Sequence, residues 1–273
     1  MEALNEQAIK ANLDDEYARR CGAIHIFESL DSTNTWLINK VRARQASSGD
    51  VCAAEMQTLG RGRRGKTWIS PDNGNLYVSM VWSKGDTREN QLSEVEGLLT
   101  LTLGLGIVNM LLNQGVNDVT IKWPNDVLVK RRKICGILVE KLVGSGGVHV
   151  VIGVGLNLID IEMDEFAVEN PLKSTGLIKY IPESINQRNK ILAQIIKVML
   201  KTCIEQEKND PENIKSEYYK YDELSGKSVI LTGSDGAVVQ GTYAGISRNG
   251  ALLVNVTGKL VEFFSADVRV RFE

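Results

Sequence analysis

Histidine, cysteine and long apolar runs are scarce in this chain, and each scarcity removes a class of function. Its 273 residues hold two histidines, His25 and His149, both in strand-like alternation and neither in a GxSxG or HExxH context. A hydrolase built on a histidine triad or a zinc-binding helix is therefore not expected. The four cysteines, Cys21, Cys52, Cys135 and Cys203, form no CxxC pair. That argues against a zinc site and a disulfide framework, and it fits a reducing compartment. They read as buried packing groups. Apolar runs such as Val148-His149-Val150-Val151-Ile152-Gly153-Val154 are short and broken by glycine, so none can cross a bilayer as a helix. Met1 to Arg20 mixes acids and bases at helical spacing, lacks the apolar core of a secretory signal, and reads as a structural helix. Neither sign of charge dominates: 32 basic and 34 acidic residues leave a formal net charge of -2. General attraction to nucleic acid or to an anionic membrane is not expected, and any anion site must be local. These features predict a soluble, cytoplasmic protein with no membrane partner.

Hydrophobic spacing divides what is present into a large domain, residues 1–222, and a small one, residues 223–273. Ala23 to Leu30 alternates as a strand, and Asp31-Ser32-Thr33 supplies oxygens able to cap a helix running to about Arg44. Val51 to Met56 and Asn75 to Trp82 read as strands, and between them Thr58 to Lys66, with three glycines and four basic residues, reads as a loop. Gln91 to Gln114 has helical spacing. Thr120 to Trp123, Val127 to Val129, Ile134 to Leu142 and Val148 to Leu158 follow as strands, which implies an α+β fold with a mostly antiparallel sheet backed by helices. Asn186 to Glu205 and Pro211 to Tyr221 are helices. From Lys227 the texture changes: Ser228 to Leu231, Val238 to Ile246, Ala251 to Val256 and Leu260 to Phe264 alternate with glycine-containing turns. About five short strands in that length predict a small β-barrel. Met56, Met80, Trp36, Trp82, Phe263, Phe264 and Phe272 fall where the periodicity wants core.

Gly60-Arg61-Gly62-Arg63-Arg64-Gly65 has the letters of a dinucleotide fingerprint, but that motif must open a helix, whereas Lys-Thr-Trp-Ile-Ser-Pro-Asp-Asn-Gly signals a turn. The arginines carry the chemistry: glycine lets backbone approach an anion, and guanidinium groups offer fixed charge-assisted donors to phosphate or carboxylate. Standing alone, such a run is more often a solvated basic loop. Lys122-Trp123-Pro124-Asn125-Asp126 precedes a second basic run ending at Lys133, and one short turn can bring the Lys122 and Lys133 ammonium groups to one side of a sheet. Asp31-Ser32-Thr33-Asn34 reads equally well as a plain helix cap, and Val154-Gly155-Leu156-Asn157 as a strand leaving the sheet.

Taken in order, Asp31-Ser32-Thr33-Asn34, Gln57 with the basic glycine loop, Trp68-Ile69-Ser70-Pro71, Asn75-Leu76-Tyr77-Val78-Ser79, Lys122 to Asp126, Lys133 to Glu140 and Gly153 to Asn157 resemble the biotin protein ligases. The resemblance is close over roughly residues 27 to 157. It implies a catalytic domain like that of class II aminoacyl-tRNA synthetases, followed by a small SH3-like β-barrel. It also implies an enzyme that activates biotin with ATP and magnesium to biotinyl-5′-AMP, then transfers biotin to a lysine of a biotin carboxyl carrier domain. By the same resemblance Ser32, Thr33 and Gln57, with Gly60 beside them, hold the ureido ring, and Gly136 leaves room for the bicycle. Arg61 and Arg63 hold the biotin carboxylate and adenylate phosphate, Lys133 stands near the reacting carboxylate and α-phosphate, and Lys122 holds pyrophosphate. Asp126 orients the basic cluster, Trp68 stacks on adenine, Asn157 hydrogen-bonds to it, and Arg271 is a further nucleotide contact. Magnesium ligands stay unassigned. Members of that family often pair through the catalytic sheet, so a homodimer is an option.

Two rivals stay open. A lipoate protein ligase shares the adenylate logic but is expected to carry an RRxSGGG-like segment, which is absent. A nucleic-acid-binding regulator would use the basic loop on phosphates. Only the 22 residues Met1 to Gly22 precede Ala23, too few for a recognition helix with its supports, and their acids oppose approach to phosphates. DNA is not expected as a partner.

Overall fold

The computed structural model describes residues 1–70, 74–84, 93–144, 147–160, 173–206, 210–233, 235–264 and 268–272. Pro71 and the first two residues of the helix expected from Gln91 lie outside them. Seven strands form the main sheet: β1 (Ile24–Leu30), β2 (Val51–Gln57), β3 (Leu76–Lys84), β4 (Val119–Lys122), β5 (Asp126–Val129), β6 (Arg132–Gly144) and β7 (Gly147–Leu156). Their order is β1-β2-β3-β7-β6-β5-β4. Only β1 and β2 run parallel, because the helix α3 (Thr33–Arg42) carries the chain back between them. All the other described pairs in this sheet are antiparallel, as the alternating sequence predicts. The last strand ends at Leu156, two residues short of the expected Leu158, whose backbone N–H instead donates to Asn75 Oδ1 at 2.7 Å.

One face of the sheet is covered by α4 (Ser93–Asn113) and α5 (Arg188–Glu205). Leu99, Leu101, Leu103, Ile107 and Leu111 of α4 are all buried, because this helix lies between strands β4 to β6 and the helices α5 and α6 (Pro211–Tyr219). Gly106 permits the close crossing with α5, since a Cβ there would stand 2.5 Å from Cγ1 of Val198. The single amino-terminal helix expected from spacing is two short ones, α1 (Glu6–Ala11) and α2 (Asp15–Ala18). Asn12 ends the first and Asp14 opens the second. Ile9, Leu13 and Tyr17 still reach the core on one face, so the period was right and the continuity wrong.

The amino terminus is held by Arg188. This side chain is 0% exposed. It donates from Nε to the Gly74 carbonyl at 2.9 Å and from Nη1 to the Glu2 carbonyl at 2.7 Å, and it pairs with the Glu55 carboxylate. Residues before α1, strand β2 and the entry to β3 therefore share one cation.

Beyond α6, residues Tyr221 to Glu223 run along the free edge of β4. Ile121 N–H donates to the Tyr221 carbonyl at 2.6 Å, and Glu223 N–H returns a bond to the Ile121 carbonyl at 3.0 Å. A second sheet follows, of β8 (Ser228–Gly233), β9 (Val238–Ile246), β10 (Leu252–Val256), β11 (Lys259–Phe263) and β12 (Val268–Phe272), ordered β11-β10-β9-β8-β12 and antiparallel throughout. The Trp123 indole N–H donates to the Gly250 carbonyl at 2.9 Å, fastening this sheet to the end of β4. The aromatic core expected here holds for Phe263 and Phe272, which pack against the buried cluster, but not for Phe264, which is 50% exposed. Phe272 is a ring for cations, with Lys227 Nζ at 4.2 Å and Lys122 Nζ at 5.4 Å from its centroid.

Candidate active site

A cavity of about 200 Å³ opens on the face of the main sheet opposite α4 and α5, between the ends of β5 to β7, the amino terminus of α3 and the basic loop. Its polar end is built from the β1–α3 turn. The Thr33 backbone N–H and hydroxyl lie 2.9 and 3.1 Å from Gln57 Oε1, and Gln57 Nε2 donates to Ser70 Oγ at 2.8 Å. Ser32 is the helix N-cap, and its Oγ accepts from Thr35 N–H at a long 3.5 Å. Polar groups so placed have spare capacity for a small uncharged ligand.

The basic segment is a narrow hairpin rather than an irregular loop. Gly62 N–H donates to the Lys66 carbonyl at 2.7 Å, and Trp68 N–H to the Gly60 carbonyl at 2.9 Å. Gly60 is needed for that closure, because a Cβ there would meet the Trp68 carbonyl at 2.3 Å. The tip turns at Arg64, where φ is 58°. From it Arg63 Nη1 reaches Asn125 Oδ1 at 3.4 Å, and Arg64 Nη1 reaches the Thr232 carbonyl of β8 at 3.3 Å. The hairpin thus lies across the cavity toward the second sheet. Burial pulls the Arg63 pKa below its ordinary value, while Asp126 opposes the shift. A guanidinium in that position gains from an incoming anion.

Lys122 and Lys133 both line the cavity, as the strand spacing implied, and Asp126, which the resemblance placed with them, lines it too. Lys122 and Asp126 are directly opposite across β4 and β5, and Lys133 Nζ lies 2.6 Å from Asp126 Oδ1. The Lys133 ammonium is also 4.8 Å from the centroid of the Trp68 ring. Trp68 itself lies over the bare backbone of β6 and β7: a Cβ at Gly136 or at Gly155 would come within 2.6 Å of the indole. The room expected over Gly136 is therefore filled by the tryptophan. Its indole N–H is buried without an acceptor among the described residues.

Ser32, Thr33, Gln57, Arg61, Arg63, Trp68, Lys122, Asp126, Lys133 and Gly136 all line this one cavity. Gly60, Asn157 and Arg271 are not among its lining residues. Gly60 acts through the hairpin just described. Asn157 is 2% exposed, donates weakly to the Lys133 carbonyl at 3.4 Å, and leaves its Oδ1 buried without a donor among the described residues. Arg271 alternates with the cavity-lining Val270 on β12, which directs it to the other side of that strand. Cys135, beneath the site, has its thiol pushed up to about 12 by burial, so it offers no thiolate nucleophile. Sequence reasoning gave no role to Asn34 or Glu140, although both stood in the quoted motifs. Here Glu140 joins them to the loop, with Oε2 accepting from Asn34 Nδ2 at 2.8 Å and Oε1 paired with Arg61 Nη2 at 2.7 Å.

Residues 26–157, which hold all of these elements except the carboxyl-terminal sheet, match the biotin/lipoate A/B protein ligase family. Over 274 aligned residues the chain is 32% identical to the bifunctional ligase/repressor BirA of Escherichia coli, covering 99% of this chain and 79% of that protein. The chain belongs to the biotin protein ligase family. It is also 27% identical over 248 residues to the biotin–[acetyl-CoA-carboxylase] ligase of Mycobacterium tuberculosis, covering 90% of this chain and 88% of that one. Among solved structures, the biotin protein ligase of Aquifex aeolicus in complex with biotin and ATP superimposes with a TM-score of 0.71 at 24% identity, covering 92% of this chain and 99% of that one. That coverage exceeds residues 26–157, so the likeness in fold reaches beyond the family match.

Proposed function

We propose that this chain activates biotin with ATP and transfers it to a lysine of a biotin carboxyl carrier domain. The observation that carries the reading is the single cavity with an uncharged hydrogen-bonding end, at Ser32, Thr33 and Gln57, and a cationic end, at Arg61, Arg63, Lys122 and Lys133. Biotin has the matching ends, a neutral ureido group and a carboxylate. The resemblance over residues 26–157 supports the same assignment.

In the first step an oxygen of the biotin carboxylate attacks the α-phosphorus of ATP, and the bond to pyrophosphate breaks. Two anions must meet, so preorganised cations are what lower the barrier. Lys133 is held by Asp126 where it can bridge carboxylate and α-phosphate, Arg63 reaches the same place from the hairpin, and Lys122 receives the leaving pyrophosphate. Entry of biotin over Gly136 displaces Trp68, whose freed face then stacks on adenine. The buried acceptor on Asn157 suits the adenine amino group. In the second step the acceptor ε-amine attacks the acyl carbon of the mixed anhydride, forming the amide and releasing AMP. The hairpin keeps water from that anhydride in between.

Magnesium binds mainly through phosphate oxygens, with one or two protein carboxylates. Asp126 is the carboxylate among the described cavity residues, and no group of three potential metal-ligating side chains gathers among the described residues. This donor set fits an ion that comes with ATP, which when bound neutralises phosphate charge. We read residues 1–222 as the catalytic domain, of the class II aminoacyl-tRNA synthetase type, and residues 223–273 as an SH3-like barrel that roofs the nucleotide end. A cytoplasmic location, the option of a homodimer and no part for DNA complete the proposal. The test is incubation with ATP, magnesium and radiolabelled biotin, followed by gel filtration. Label recovered with the protein as biotinyl-5′-AMP is the expected result, and recovery only of free biotin would oppose it.

A further inference from the structure

We propose that Glu140 is a positioning residue that holds the Arg61 guanidinium ready for the substrate carboxylate, an inference that rests on the biotin reading above. Glu140 stands on β6 and is not among the residues lining the cavity. Its two oxygens face different partners. Oε2 accepts from Asn34 Nδ2 at 2.8 Å, and Oε1 accepts from Arg61 Nη2 at 2.7 Å.

Asn34 is a fixed point. It is 3% exposed, its Oδ1 accepts from the buried Ser79 hydroxyl, and it lies so near the sheet that a Cβ on Gly153 would meet that oxygen at 2.2 Å. One oxygen of Glu140 is therefore tied to the core, and the other extends that rigidity to the hairpin. Arg61 Nη1 lies 3.5 Å from Thr35 Oγ1 on the first turn of α3. The Arg61 and Glu140 side chains are 45% and 21% exposed, and ion pairs this open contribute little to stability. Their effect is directional. A guanidinium is a rigid fork of five donors; Glu140 and Thr35 engage two nitrogens of it from one side and leave donors for a second carboxylate. Without Glu140 the fork must be ordered when substrate binds, which costs affinity rather than rate at saturation.

The experiment measures the biotin dissociation constant by calorimetry for the unaltered protein, Glu140→Gln, Arg61→Ala and the double variant, with melting temperatures alongside. In Glu140→Gln the new amide oxygen can still accept from Asn34, but Arg61 is offered no charged acceptor. Glu140→Gln should weaken biotin binding about tenfold, the loss expected for one misplaced charge-assisted bond. It should leave the melting temperature unchanged, and kcat for biotin-dependent pyrophosphate exchange at saturating biotin should stay within about twofold. In the Arg61→Ala background the same change should alter binding by less than about twofold, because Glu140 acts through Arg61. Additive losses would overturn the proposal, as would tighter binding by Glu140→Gln, which would make Glu140 a competitor of the substrate. If the unaltered protein binds no biotin, the parent reading falls; if it binds biotin and the losses are additive, only this inference does.

Discussion

The indole of Trp68 lies against the backbone of Gly136, so closely that a Cβ there would stand 2.6 Å from Cζ3. Biotin cannot rest over Gly136 until this ring moves, and the ring leaves a position in which its N–H has no acceptor among the described residues. Saturation with biotin should therefore change tryptophan emission, and the change should be absent in Trp68→Phe. An identical biotin response in that variant would show that another tryptophan reports and that Trp68 stays in place.

Lys133→Ala should lower the rate of adenylate formation by about a hundredfold or more, the usual cost of removing one preorganised group from a charged transition state. Its ammonium pairs with Asp126 at the cavity wall, and the side chain is 23% exposed, so the fold should persist. Near-normal biotin-dependent exchange by this variant would remove Lys133 from the reaction.

Arg63→Gly should still form adenylate but release it, since the guanidinium at the hairpin tip supplies charge-assisted bonds to phosphate. Released anhydride acylates lysines at random, so mass spectrometry of bystander protein should find scattered biotinylation with the variant and little without the substitution. Equal bystander labelling by both proteins would contradict a retaining role.

Arg188→Met should cost about 3 kcal/mol in urea unfolding, because it takes the cationic partner from the part-buried Glu55 carboxylate and the donors from the Gly74 and Glu2 carbonyls. The double variant Arg188→Met with Glu55→Gln should recover part of that loss by removing the stranded charge. A single variant within about 0.5 kcal/mol of the unaltered protein would mean that the buried cation does not clamp the amino terminus to β2.

The candidate site was legible where a motif fixes residue type and spacing at once. Lys122 ends β4 and Lys133 follows on β6, so strand order already implied that both face one side of the sheet, while Asp126 was placed with them by the resemblance. Ten of the implied residues share one cavity. Local spacing could not reveal partners far apart in the chain. Asn34 and Glu140 differ by 106 positions, and Arg188 and Glu55 by 133; nothing in either neighbourhood announces the other. Arg271 rested on the resemblance with no motif around it, and one residue of strand register decides which face of β12 such a side chain takes. The end of β7 and the break after α1 turn on single polar side chains, Asn75 accepting from Leu158 N–H and Asn12 donating to the Ala8 carbonyl, which periodicity does not register. Phe264 shows the same limit, since alternation marks an inward face but not where that face runs out of core.

Exchange of radiolabelled pyrophosphate into ATP tests the central claim most directly, because it isolates the step that the cationic end of the cavity is built to promote. Exchange should require biotin and magnesium, should not be supported by lipoate, and should fall by about a hundredfold or more in Lys133→Ala. Exchange that proceeds equally without biotin, or that lipoate supports and biotin does not, would contradict the assignment of this cavity.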